Sequence, residues 1–460
     1  MRITKFEAEG VNGYLRFNID FNESLTFLIG INGSGKTTAI KLILGLLSPS
    51  WINLTQIKYE YAQVECEIND ELIRIKSDFN DKEKIKLSIS YPNTKKKTIT
   101  STVRVQELPN IQMSDYGRME YRQIMSRFSR YESHFIELDA VKKIKEISTP
   151  VFLGLDRRIY EGGEIDLLSI DSFMQKRDFT TDIKGNLYES LLEIESLIKT
   201  NFIEYSQKQA SISASLKNKI IYSSFDIIQG NENFGFNTKT DVDIESRKKR
   251  IIEASKNFEI PDLESKIIDY FNELSKIQKS LQKEQDKKGK DKETSQQFLK
   301  VLGQWFINNP QLERIDNIIS LYENAQTEIE LSYKEFIKFE SLANLYFEEN
   351  NKKLTIKKNG EISIKLPTDN TTGIFKLSSG EKQIIVMLAQ LIFGKKRQIF
   401  IIDEPELSLH LGWQELFVNS LLEASPNTQF IMATHSPTII GKIENQLYCQ
   451  DLSQSMTNRG

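Results

Sequence analysis

Gly30-Ile31-Asn32-Gly33-Ser34-Gly35-Lys36-Thr37 has the spacing GxxxxGK[ST], and it lies between two patterns of different period. Upstream, Leu15, Phe17, Ile19 and Phe21, then Leu25, Phe27 and Ile29, alternate as successive short strands do. Downstream, Ile40, Leu42, Ile43, Leu46 and Leu47 recur at helical spacing and stop near Pro49. Strand, glycine loop and helix therefore follow one another, the context this motif needs. The glycines let the backbone wrap around a phosphate with its N–H groups inward, and the helix N-terminus adds about half a positive charge. Lys36 supplies a point charge for β and γ phosphates, and the Thr37 hydroxyl can ligate Mg2+. Asn32, Gly33, Ser34, Gly35 and Thr38 complete the expected phosphate cradle. An ordinary glycine turn before a helix is the plainer alternative, and the full match in its context disfavours it.

Outward from this loop, Tyr59 to Ile68, Leu72 to Ile75 and Ile85 to Ile89 alternate as an antiparallel layer that ends around Lys95-Lys96-Lys97. This closes a first lobe, 1–105. From 106 to 350 polar stretches carry apolar residues three and four apart, as in Leu263, Ile267, Phe271, Leu274, Ile277 and Leu281, which predicts a mainly helical insertion. Within it, the charged segment 282–294 reads as a solvated tip, and Thr149 to Arg158 could be a strand returning to a sheet. Beyond 350, Leu354 and Ile356, then Asn359-Gly360, then Ile362 and Ile364 predict a hairpin with both central residues at positive φ. Helix, strand, helix and strand then alternate through 351–460, so the class expected is α/β, a two-lobed mixed sheet with helices interrupted by a large insertion.

Three further segments carry chemistry. Gln398-Ile-Phe-Ile-Ile-Asp403-Glu404 is an apolar strand ending in two acids, which places a carboxylate at the sheet edge facing the glycine loop. Asp403 would hold the Mg2+ shell and Glu404 would act as general base on an attacking water. Leu377-Ser378-Ser379-Gly380-Glu381-Lys382-Gln383 precedes an apolar helix and can present hydroxyl and backbone donors to a second anion; a capping box alone would explain Ser378 and Glu381 equally. Thr434-His435-Ser436 ends the next strand pattern.

In this order the segments resemble an ABC-type ATPase head, with Walker A at 30–37, a signature at 377–383, Walker B at 398–404, a D-loop at 407–410 and a switch histidine at His435. The resemblance covers the lobes 1–105 and 351–460. It implies an ATPase with ATP and Mg2+ as cofactors, working as a head-to-tail dimer in which each ATP lies between Lys36 of one protomer and Ser379 of the other, with His435 on the γ phosphate. Catalytic roles then fall to Lys36, Glu404 and His435. Nucleotide contacts fall to residues 32–38 with Ser378, Ser379, Gly380 and Glu381, and Mg2+ ligation to Thr37 and Asp403. His410 may be read with the D-loop or as an ordinary helix-start residue, and no glutamine stands out as a Q-loop.

Lys36 and Leu377 are 341 residues apart, far more than in transporter ATPase domains, so a transporter role is disfavoured. The insertion lacks the sustained heptads of long coiled-coil arms and the CxxC of a zinc hook. Asp403-Glu-Pro-Glu-Leu-Ser-Leu-His-Leu-Gly-Trp-Gln414 resembles the AAA-15/AAA-21 group of ABC ATPases, found in overcoming-lysogenization-defect nucleases and anti-phage systems, and its Leu-His-x-x-Trp-Gln part is similar to the ATPase subunit of Septu systems. Only 25 residues follow His435, too few for a C-terminal Toprim nuclease, so no nuclease site is expected in this chain. The resemblance implies a separate HNH nuclease partner; a Toprim partner, as in the PARIS system, and a RecF-like DNA-repair ATPase are the alternatives.

Direct DNA contact is a weaker expectation. Arg118, Arg122, Arg127 and Arg130 interleave with Tyr116, Tyr121, Phe128 and Tyr131, which could grip phosphates and stack bases, but a solvated basic helix face explains them as well. Arg247-Lys-Lys-Arg250 follows Asp241-Val-Asp-Ile-Glu and reads as a locally paired face, whereas Arg157 and Arg158 are placed to approach a nucleotide. A net charge of −3 excludes a strongly cationic nucleic-acid binder, and Cys66 and Cys449, outside any CxxC, exclude a local zinc site or a disulfide framework. With no apolar signal core and no run near the roughly 18 residues of a membrane span, a cytoplasmic protein without membrane contact is expected.

Overall fold

The computed structural model describes residues 1–49, 54–55, 57–79, 84–105, 133–147, 151–153, 159–161, 182–223, 243–256, 262–285, 296–394, 399–441 and 447–455. They form two compact units, residues 1–201 with 335–460, and residues 202–334.

The first unit opens with β1 (Arg2–Val11) and β2 (Leu15–Asp20), whose inward residues Phe6, Ala8, Val11, Leu15, Phe17 and Ile19 are at most 2% exposed. Then come β3 (Leu25–Ile29), α1 (Lys36–Leu47), β4 (Tyr61–Ile68), β5 (Glu71–Asp78), β6 (Lys84–Ser90) and β7 (Ile99–Arg104). One sheet has the order β2-β1-β4-β5-β6-β7, antiparallel throughout. The layer does not end at Lys95–Lys97: the chain turns there and returns as β7, an edge strand whose Thr-Ser-Thr centre hides the alternation of Ile99, Ser101 and Val103. Against it packs α2 (Asp139–Lys145), with Ala140, Val141 and Ile144 buried.

The two short strands β8 (Val151–Leu153) and β9 (Ile159–Glu161) precede the long helices α3 (Asp182–Ser223), α4 (Ile244–Ser255), α5 (Leu263–Gln285) and α6 (Gln296–Phe347). Strands resume with β10 (Lys353–Ile356), β11 (Ile362–Lys365) and β12 (Thr371–Thr372), followed by α7 (Ser379–Phe393), β13 (Ile399–Asp403), α8 (Leu411–Ala424), β14 (Gln429–Ala433), α9 (Pro437–Ile440) and β15 (Cys449–Asp451). The second sheet has the order β15-β3-β14-β13-β8-β9, parallel except for β8 with β9. The strand expected within Thr149–Arg158 is thus Val151–Leu153, paired with β13; Arg157 and Arg158 lie outside the described residues. Strands β13 and β14 are buried at every position, as strands covered on both faces must be. Ile399, Ile401, Ile431 and Ala433 share one core with α1 and the antiparallel sheet.

The hairpin β10–β11 forms in the expected register, but its turn differs. Only Gly360 has positive φ, at 79°; Gly360 N–H donates to Lys357 O at 2.9 Å and Lys357 N–H to Glu361 O at 2.9 Å. This is a three-residue loop with glycine in the left-handed position rather than a two-residue turn. The C-terminal end of α6 anchors the same strand: Asn344 bonds both Leu354 N and Leu354 O, and Ile356 N–H donates to Glu340.

The second unit is helical in its described residues. Ile251, Phe271, Leu274, Leu281, Trp305 and Leu312 share its core. Arg247 and Arg250 are charge-paired, but not with the preceding acids: Arg247 makes a bidentate pair with Asp316 at 2.8–3.1 Å and Arg250 one with Glu323 at 2.7–2.9 Å, both on α6. Guanidinium forks matched to carboxylates leave little for a nucleic-acid backbone to grip. The interleaved residues Tyr116 to Tyr131 and most of the charged tip, 286–294, lie outside the described residues.

Candidate functional site

Three strand ends meet at one edge of the parallel sheet. Leu28 of β3 pairs with Ala433 of β14, and Ala433 with Asp403 of β13, so the chain leaves all three strands side by side. Ligand sites in parallel sheets form there because the loops diverge and expose backbone N–H groups. From β3 comes the glycine loop, from β13 come Asp403 and Glu404, and from β14 come Thr434 and His435.

The loop geometry demands glycine at two points. Gly35 has φ 90°, and a Cβ there would lie 2.7 Å from Phe17 Cζ and 2.8 Å from Leu15 Cδ1, so β2 presses directly on the backbone. A Cβ on Gly30 would lie 2.7 Å from Ser34 Oγ. Asn32 and Gly33 are exposed on the loop, Thr37 and Thr38 are half-buried in the first turn of α1, and Ser34 is buried with its hydroxyl unpartnered among the described residues. Lys36 is 5% exposed; its Nζ donates to Gly30 O at 3.2 Å and to His435 Nε2 at 2.5 Å. Burial lowers the Lys36 pKa against the opposing pull of Glu404, Asp403 and Glu406.

Asp403 is 3% exposed. Burial raises its pKa, while a hydrogen bond with the Thr37 side chain and the charges of Lys41 and Lys36 lower it. Its Oδ1 has no partner, an acceptor left open in a buried place. Glu404 has left-handed backbone, φ 50°, strained for a residue with a Cβ, and its N–H extends the parallel pairing to Ala433 O at 2.9 Å. Its Oε1 lies 3.4 Å from His435 Nε2. Burial, then the neighbouring charge of Glu406, pushes the Glu404 carboxyl up to about 7, where a carboxylate can take and release a proton near neutrality.

The expected second anion site is on α7. Ser378 and Ser379 are exposed and Gly380 is buried. The capping box is present: Glu381 N–H donates to Ser378 Oγ at 3.3 Å and Ser378 N–H to Glu381 Oε2 at 2.8 Å. Glu381, expected among the nucleotide contacts, is 1% exposed, with its Oε1 held by Lys352 Nζ at 2.7 Å. Its side chain therefore faces inward and fixes the helix start, leaving Ser379 and Ser378 to face solvent. Among the described residues neither serine bonds the glycine loop of its own chain. His410 starts α8, its ring 4.6 Å from Trp413 and its Nε2 3.2 Å from Glu349.

Two residues of this edge were not foreseen. Glu406 accepts from His435 N–H at 2.6 Å, Ser436 N–H at 3.1 Å and Thr434 Oγ1–H at 2.8 Å. Gln414, 7% exposed, accepts from Ser436 Oγ at 2.6 Å and donates to Leu409 O at 2.8 Å. The available signal was an acid two positions past Glu404, behind a proline, which a polar turn explains as well.

Among curated proteins, this chain is 34% identical over 106 residues to "Retron Vc95 probable ATPase" of Vibrio cholerae serotype O1 biovar El Tor, covering 20% of this chain and 19% of that protein. It is 32% identical over 85 residues to "Retron Ec83 probable ATPase" of Escherichia coli, covering 16% of each. The chain thus spans less than a fifth of the length of either relative. Among solved structures it is similar to the Smc head domain with an extended coiled coil bound to the C-terminal domain of ScpA from Pyrococcus furiosus, at 15% identity and TM-score 0.34, covering 95% of this chain and 91% of that one. It is also similar to the SMC head domain from Thermotoga maritima, at 12% identity and TM-score 0.35, covering 96% and 91%. Residues 1–440 match AAA-15, AAA ATPase domain, and the chain therefore belongs to this family of ATPase domains.

Proposed function

We propose that this chain binds and hydrolyses ATP as the ATPase subunit of a bacterial anti-phage defence complex, and that its nucleotide state scaffolds and restrains a separate nuclease of HNH type, as in Septu systems. The observation that carries the ATPase reading is the convergence of Lys36, Asp403, Glu404 and His435, drawn from three separate strand ends, on one sheet edge. The likeness to two retron ATPases supports a defence role.

The donor set fits a nucleotide with its cation. Asp403 Oδ1 and the Thr37 hydroxyl would hold Mg2+, and one carboxylate with one hydroxyl suits a cation that keeps phosphate and water ligands; when bound it offsets charge on the β and γ phosphates. Lys36 reaches the same phosphates, and the loop N–H groups of residues 32–37 face them. Glu404 takes the proton of an attacking water, and His435 orients the γ phosphate. Ser378 and Ser379 close the site across a head-to-tail dimer, the role their exposure at the start of α7 allows.

Pull-down with neighbouring gene products, followed by mass identification and DNA and tRNA cleavage assays with and without the captured partner, tests this reading. A copurifying nuclease that cleaves only in the complex supports it. ATP hydrolysis by the isolated chain with steep, DNA-stimulated salt dependence and no partner would overturn the defence assignment in favour of a repair ATPase.

A further inference from the structure

We propose that Glu406 and Gln414 are positioning residues of the ATP site: from either side they fix the Thr434-His435-Ser436 turn to the chain that follows Glu404, so that His435 meets Lys36 and Glu404. This rests on the ATPase reading above and adds two residues to it.

The turn has few other means of holding its shape. It follows the last residue of β14, and His435 itself is exposed. Glu406 occupies the inner side. One carboxylate oxygen accepts two consecutive backbone N–H groups, those of His435 and Ser436, and the other accepts the Thr434 hydroxyl; Ser436 N–H is shared with Thr434 Oγ1 at 3.0 Å. Bonds from N–H groups to an ionised carboxylate are shorter and about twice as strong as neutral ones. Gln414 occupies the outer side. Its Oε1 accepts the Ser436 hydroxyl, which in turn accepts Ile439 N–H at 3.3 Å as the cap of α9, and its Nε2 donates to Leu409 O. Every side-chain bond of the turn therefore ends on the segment between Glu404 and the first turns of α8. A shift of that segment moves His435 with it, while Lys36, fixed by α1, stays.

Neither residue needs to touch nucleotide for this. Displacing a reacting group by about 1 Å costs on the order of 100-fold in rate, whereas the loop and Lys36, which dominate binding, are untouched. Steady-state Mg-ATP hydrolysis, equilibrium binding of a fluorescent non-hydrolysable ATP analogue and thermal melting, on wild type, Glu406→Ala, Glu406→Gln and Gln414→Ala, separate the possibilities. For Glu406→Ala kcat falls at least about 10-fold while analogue affinity stays within about 3-fold. Glu406→Gln restores most of kcat, because an amide oxygen still accepts both N–H groups and the amide N–H can donate to Thr434 Oγ1. Gln414→Ala, which keeps Glu406, gives an intermediate kcat with unchanged affinity. Unchanged kcat in Glu406→Ala overturns the proposal, as does Glu406→Gln failing as fully as Glu406→Ala. Loss of analogue binding in step with a lowered melting temperature in both alanine variants makes the role merely structural and overturns it too. Wild type that binds the analogue but never hydrolyses ATP sinks the hydrolytic reading itself, and this proposal with it.

Discussion

His435 Nε2 lies 2.5 Å from Lys36 Nζ, although 399 positions separate the two residues. The ammonium has donors only, so the imidazole accepts through that nitrogen, and the same nitrogen then has no proton to offer Glu404 Oε1, 3.4 Å away. A phosphate that draws Lys36 to itself frees Nε2, and loop occupancy thereby governs what the histidine can do.

Lys36→Ala removes the one buried cation at the mouth of the loop. Affinity for a fluorescent ATP analogue should fall by about 100-fold, the worth of a charge-assisted contact, with the circular dichroism spectrum unchanged.

Glu404→Gln keeps the shape of the side chain and removes the base. Hydrolysis should drop by at least about 100-fold while ATP stays bound, so closed dimers accumulate in size-exclusion profiles run with ATP. Identical elution of wild type and variant would count against a nucleotide sandwich.

The pH response follows from the same carboxyl. In the folded protein it titrates at about 7, against an ordinary value of 4.5. Between these values the folded state holds the extra proton, so this group's contribution to stability is fully present below 4.5 and is lost as pH rises through about 7. Melting curves should show Glu404→Gln gaining stability over wild type at pH 8 but not at pH 4. As the base must be ionised, kcat/KM of wild type should rise through pH 7.

Gln429 is 1% exposed and accepts from Ile3 N–H at 2.8 Å while donating to Ile3 O at 2.7 Å and Asn22 O at 2.8 Å. Gln429→Ala strands those backbone groups in the core, and urea unfolding should register a loss of roughly 2–4 kcal/mol.

Lys352→Met leaves Glu381 charged and buried, with only the Ser378 N–H beside it. Roughly 3 kcal/mol of stability should be lost, and the double variant Lys352→Met, Glu381→Leu should recover much of it, since a matched apolar pair carries no desolvation cost.

The glycine loop, the apolar strand ending in Asp403-Glu404 and the helix opening at Ser379 were legible because each is a local pattern: a period, a spacing, a residue that tolerates positive φ. Strand β7 was not, because an edge strand with one polar face and a Thr-Ser-Thr centre looks like a turn's continuation. The Asn359-Gly360 turn was placed correctly and given the wrong type, since two- and three-residue loops share the same dipeptide. Arg247 and Arg250 were seen to be paired, but with neighbours in sequence rather than with Asp316 and Glu323, because a helix surface reveals charge and not the helix it will meet.

By itself the sequence determined which segments are strands, which loop can enclose a phosphate and which acids end the neighbouring strand, since backbone period and glycine chemistry act within a few residues. Only the tertiary structure decided that Glu381 turns inward to Lys352, that Asp403 keeps an acceptor without a partner, and that Glu406 and Gln414 hold the His435 turn. Those outcomes depend on which buried polar atoms find partners, and such pairing is settled across hundreds of positions, after the sheet has brought its strand ends together.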